Sequence, residues 1–92
     1  MKQHTVRILR RMLILLKQYQ QGISTLREVV DSLEGSLNAL EERLPDSFYT
    51  EWFTHWGNLE QIVAMGTEHN RHEMAIEEVM ALQSLLSQYV TP

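Results

Sequence analysis

Histidines and carboxylates are the side chains through which this chain can do chemistry, and their spacing decides how far that goes. His69 and His72 stand three apart between Glu68 and Glu73, a spacing that sets metal-binding groups on one helical turn. The segment reads as a loop and first helical turn, where polar residues belong without any metal. Glu51 and His55 form an i, i+4 pair on the solvent side of an aromatic-rich helix and read as a surface contact. Di-iron bundles need Glu-x-x-His motifs with inward carboxylates, and the motif does not occur here. There is no glycine-rich phosphate loop, nucleophile elbow or HExxH sequence, and nothing sets a base beside a serine. With 0 cysteines there is no disulfide, thiol nucleophile or cysteine zinc site. These residues predict a protein that is not an enzyme and holds no cofactor or metal.

Two carboxylates break the hydrophobic pattern. Glu78 falls inside the apolar arc of the last helix, between the directions of Leu82 and Leu85, and Glu60 sits at the edge of the aromatic arc. An acid on a core face must be paired, protonated or within reach of water. The expectation is a half-buried acid bonded to an arginine or an indole.

The elements that position these groups are helices. From Ile23 to Pro45, Leu26, Val30, Leu33, Leu37, Leu40 and Leu44 recur at spacings of four and three, with Val29 alongside, which is one amphipathic helix. Thr25 and Glu28 predict a capping box at its start, and Leu44-Pro45 predicts its end. Before it, a helix over about residues 5–20 carries Val6, Ile8, Leu9, Met12, Leu13, Leu15, Leu16 and Tyr19 on one half of its circumference. Arg7, Arg10, Arg11 and Lys17 fill the other half, with Ile14 projecting among them, and Gly22 stops the helix.

The third helix opens after Pro45 with Asp46 or Ser47 as its cap. Phe48, Tyr49, Trp52, Phe53 and Trp56 share an arc that Leu59 and Val63 continue, and Gly66 ends the helix. An aromatic stripe at helical spacing reads as core. Asn70 and Glu73 suggest a capping box for the last helix, whose buried face is Ala75, Val79, Leu82, Leu85, Leu86, Tyr89 and Val90. Ile76 and Met80 lie off that face. Short links between the helices predict an all-α, antiparallel four-helix bundle, with residues 1–92 as one domain.

A chain of 92 residues buries only about 60–70% of its unfolded surface, so dimerisation or partner binding would add stability. The net charge of −4 conceals an asymmetry. Residues 1–23 carry five basic and no acidic side chains, a balance of +5, whereas residues 24–92 carry three basic and twelve acidic ones, a balance of −9. An acidic body argues against nucleic acid as the main ligand, and for a basic protein partner or merely for solubility. On the second helix one flank is small, with Ser32, Ser36 and Ala39. The other collects Asp31, Glu34, Asn38, Glu41 and Glu42, and Asp31, Glu34, Glu41 and Glu42 are the candidate partner-binding residues. The apolar run Met12–Leu16 is too short for a secretory or membrane-spanning segment, which predicts a cytoplasmic protein without a membrane partner.

The run Tyr19-Gln20-Gln21-Gly22-Ile23-Ser24, followed by Leu26, Val30, Leu33, Glu34, Leu37, Leu40 and Glu41, resembles a group of small bacterial helical proteins of unassigned function. Trp56, Leu59 and Glu60 fit the tryptophan-x-x-leucine-glutamate part of the same pattern, and the likeness spans about residues 19–65. Some proteins of that group look like immunity partners of bacterial toxins. The resemblance implies an immunity-type inhibitor whose acidic face neutralises a basic toxin or nuclease. The alternative is a structural or adaptor module that self-associates, as a homodimer, through Ile14, Ile76 or Met80.

Overall fold

The computed structural model describes residues 1–66 and 70–90, and among these there are four helices and no strand. Helix α1 spans Gln3–Gln20, α2 Leu26–Asn38, α3 Asp46–Met65 and α4 Arg71–Ser87. They form a bundle in which α1 packs on α2 and α4, and α3 likewise packs on α2 and α4. The pair α3 and α4 makes the most extensive contact.

The apolar faces read from the sequence form the core. Leu9, Met12 and Leu16 of α1 meet Leu33 of α2, Phe48, Trp52 and Leu59 of α3, and Val79, Leu82 and Leu86 of α4 in one cluster, all at 0% exposure. Ile14 lies outside it at 56% exposure, in keeping with its place among the arginines. Phe53 departs from the expected aromatic core and is 49% exposed. Each residue turns a helix by about 100°, so Phe53 stands at the edge of the arc, off the inward line of Phe48, Trp52, Leu59 and Val63. Its ring instead covers Trp52 edge-on, with centroids 5.1 Å apart.

Helix ends follow local chemistry. Gly22, at φ 78°, takes the left-handed conformation that only glycine adopts cheaply. The Ile23 N–H then donates to the Gln18 carbonyl and the Gly22 N–H to that of Tyr19, a Schellman closure of α1. Gly66 ends α3 where a Cβ would stand 2.6 Å from the Ile62 carbonyl oxygen. The Arg71 guanidinium donates to the carbonyls of Val63, at 2.8 Å, and Gly66, at 3.2 Å, setting positive charge on the negative end of α3. Pro45, not Asp46 or Ser47, occupies the cap position of α3, and Asp46 pairs with Arg43 across the turn. Asn70 precedes α4 but its side chain makes no capping bond to that helix.

The second helix is shorter than its leucine spacing predicts. It stops at Asn38, and Leu40 and Leu44 reach the core from an irregular segment. The Ala39 N–H bonds to both the Gly35 and Ser36 carbonyls, and the Leu40 N–H to Leu37, so the last turn tightens and then leaves the helix.

At its other end the capping box forms as expected. Thr25 Oγ1 accepts the Glu28 N–H at 3.2 Å, and the Thr25 N–H donates to the Glu28 carboxylate at 3.1 Å. Thr25→Ala should therefore lower the unfolding free energy by about 1 kcal/mol, read from urea unfolding. A change within about 0.2 kcal/mol would show that the box contributes nothing. The Thr25 N–H, then the Thr25 hydroxyl, holds the Glu28 carboxyl below its usual range. A carboxyl lowered on folding stabilises fully above its unfolded pKa, and that share is lost as pH falls through the folded value.

Candidate functional site

The candidate partner-binding carboxylates do not share one helix. Asp31 and Glu34 are exposed on α2, whereas Glu41 and Glu42 lie beyond its end at Asn38. Asp31, Glu34 and Glu41 make no ion pair among the described residues. Glu42 is turned back onto the start of α1, where its carboxylate accepts the Lys2 main-chain N–H at 2.7 Å. The Thr5 hydroxyl first, and then that N–H, holds the Glu42 carboxyl below its usual range. Thr5 Oγ1 is itself buried and meets no partner in ordinary hydrogen-bond geometry, so the Lys2 N–H is the bond that the structure shows on this carboxylate. Near the same junction, the His4 ring lies 3.3 Å from the Ala39 carbonyl oxygen. Glu42 is thus partly spent on the fold, whereas Asp31, Glu34 and Glu41 are exposed.

Glu78 finds its partners across the α3–α4 interface. One carboxylate oxygen lies 2.6 Å from His55 Nδ1, and the other accepts from Asn58 Nδ2 at 3.1 Å. Both side chains of the pair are largely buried, at 30% exposure for His55 and 22% for Glu78. The predicted half-buried acid is present, but a histidine and an asparagine hold it rather than an arginine or indole. His55 therefore turns to α4 and not to Glu51. A carboxylate that orients an imidazole through Nδ1 is half of a catalytic constellation, and the other half is a nucleophile within reach. The hydroxyl of the adjacent Thr54 is engaged by the Thr50 carbonyl at 2.8 Å. The cluster links α3 to α4 through its two hydrogen bonds to Glu78. Glu60, by contrast, is exposed.

His72 lies beside Tyr19, with Nδ1 3.3 Å from the phenol oxygen, and burial pushes the Tyr19 hydroxyl up. Its suggested metal-binding companions Glu68 and His69 lie outside the described residues. Among the described residues, no three His, Asp or Glu side chains are gathered as metal ligands would be. No helix among them is long and apolar enough to cross a membrane.

The tryptophans are structural. Trp52 is fully buried, and Trp56, half-buried, stacks on it at 5.7 Å while its indole N–H donates to the Val30 carbonyl at 3.0 Å. That bond fastens α3 to α2. No known protein family, curated protein or solved structure matches this chain. The surface itself is therefore the guide to function. Among its features are the carboxylates on and after α2, the cations of α1, and exposed apolar side chains that include Ile14 and Met80, each 56% exposed, Ile23 at 68% and Met65 at 82%. Ile76, the other apolar candidate, is half-buried.

Proposed function

We propose that this chain is a protein-binding helical bundle, not an enzyme, that engages a basic partner through Asp31, Glu34 and Glu41. The immunity-type inhibitor of a bacterial toxin or nuclease is the form that the sequence resemblance implies for it, and a cytoplasmic location belongs to the same proposal. The observation that supports this reading best is the exposure of those carboxylates without any ion pair among the described residues. Unpaired charge of one sign on a rigid scaffold steers an oppositely charged partner into contact.

The bundle is taken as antiparallel in this proposal. In support, the start of α1 touches the segment after α2 through Lys2–Glu42 and His4–Ala39, and its end meets the start of α4 through Tyr19–His72.

The test begins with the protein that a tagged chain captures from its own cell. The triple charge reversal Asp31→Lys, Glu34→Lys and Glu41→Lys should slow association with that partner about 10-fold or more at low salt, with the melting temperature nearly unchanged. Glu42 stays untouched because its bond to Lys2 would confound folding with binding. Unchanged association and affinity at both low and moderate salt would remove this surface. The self-association reading draws on Ile14 and Met80, and a mass that grows with concentration in the absence of any partner would favour it.

A further inference from the structure

Helices α1 and α2 part at the surface to leave an open groove of about 330 Å³. Ile8 and Arg11 line it from α1, and Ser32, Gly35, Ser36 and Ala39 from α2. Charges of both signs flank it. Arg7 and Arg11 stand one turn apart on α1, both exposed, and neither makes a hydrogen bond or ion pair among the described residues. Asp31, equally exposed and equally without such a bond, follows Ser32 about 100° further around α2, on the side away from α1.

The packing sets these charges level with each other. The Lys2 N–H meets Glu42 and the His4 ring lies beside the Ala39 carbonyl, so numbers rise along one helix as they fall along the other. Seven residues on from His4 is Arg11, and seven back from Ala39 is Ser32, the neighbour of Asp31. The groove agrees with that register, since Arg11 and Ser32 line it together.

We propose that this face binds a second copy of the chain about a two-fold axis running along the groove. That rotation lays α1 of each copy on α2 of the other without a shift along the axis. Arg11 of each copy then meets Asp31 of the other at the same level, and Arg7 lies level with the other copy's Gly35 and Ser36. The pairing occurs twice, as an isologous interface requires. Charge complementarity selects this occupant. A surface of one sign would be attracted by one helix and repelled by the other, whereas the chain's own face, turned over, presents both signs in the reverse order. There is room for the close approach, because a Cβ at Gly35 would meet nothing within 4 Å. The inference rests on the reading that Asp31 faces a basic partner, and it assigns that partner to α1 of a second copy. A polar face two helices wide belongs to the weak, salt-sensitive class of interfaces.

Sedimentation of the full chain between about 10 µM and 1 mM should show the mass climbing from monomer to dimer, with the transition moving at least about 5-fold higher in concentration at high salt. Arg11→Glu and Asp31→Lys, both at exposed positions, should each weaken the dimer about 10-fold with thermal melting unchanged. Combined, they should restore it to within about 3-fold of the parent, which loss of folding cannot do. Gly35→Gln should weaken it about 10-fold while melting holds or rises, because the new side chain takes the space the other copy needs and suits a helix better than glycine. A chain monomeric at every concentration would overturn the proposal. So would a charge swap as weak as the single variants, or a dimer dispersed by Met80→Ser, which would set self-association on another face. Should the chain stay monomeric while Glu34→Lys with Glu41→Lys still slows association with a captured partner, this inference alone falls and the acidic-surface reading stands. A salt-sensitive dimer restored by the charge swap, with that association unchanged, would support the inference and confine the acidic surface to Asp31.

Discussion

Trp52→Ala should lower the unfolding free energy by about 3–5 kcal/mol, and Leu33→Ala by about 2–5 kcal/mol. Both side chains are at 0% exposure, in the middle of α3 and α2. Removing the indole empties the space that Trp56 stacks against and Phe53 closes edge-on, and large-to-small changes at such sites lose both transfer energy and packing around the cavity. Stability per residue is about 0.05–0.15 kcal/mol, which gives roughly 5–14 kcal/mol for a chain this long, so either change removes a large share. Urea unfolding followed by far-ultraviolet circular dichroism measures the loss. Under about 1 kcal/mol at both positions would mean that the two helices do not meet around these residues. Trp52→Phe should cost less than its lost volume alone implies, because the Trp52 indole N–H is buried without an acceptor.

The periodicity of three and four carries this result, and it is legible in the sequence alone. Leu26, Val29, Val30, Leu33 and Leu37 line one side of α2 because they are the apolar residues of that segment. Periodicity does not record where a helix stops, however. Leu40 and Leu44 keep the spacing, and both still pack inward, but they do so after the backbone has left the helix at Asn38. The seam registers that a residue is buried and is blind to the conformation that delivers it.

The same blindness governs the candidate site. A wheel drawn through the second helix to Leu44 sets Glu41 and Glu42 on one face with Asp31 and Glu34. Ending the helix six residues earlier separates them and swings Glu42 onto the Lys2 N–H. Glu78 shows the other half of the limit. Its position on an apolar arc signals that it needs a partner, because burial of an acid is costly wherever it occurs. Which partner depends on how α3 and α4 are set against each other, and no local spacing within either helix encodes that. His55 has Glu51 four residues away on its own helix, yet it lies against Glu78, 23 residues on. The groove between α1 and α2 is of the same kind. Ser32, Ser36 and Ala39 are visible as the small flank of one helix, whereas the wall opposite them, Ile8 and Arg11, exists only once the helices pack.

Glu78→Ala should destabilise the bundle by about 1–3 kcal/mol, since it strips His55 and Asn58 of the acceptor they share in a largely buried place. Part of that loss is returned because the pair retains some exposure to water, so the lower half of the range is expected. Glu78→Gln keeps an oxygen for Asn58 and should cost less than Glu78→Ala. The decisive measurement is a double-mutant cycle with His55→Ala, in which the coupling should reach about 0.5–2 kcal/mol. Replacing both residues by leucine tests the logic from the other side. With Asn58 alone losing an acceptor and an apolar pair placed beside Val79 and Leu82, the double leucine chain should be more stable than either single alanine variant. A coupling under about 0.3 kcal/mol would mean that water serves His55 and Glu78 as well as they serve each other, leaving the apolar contacts of α3 and α4 to hold the two helices together.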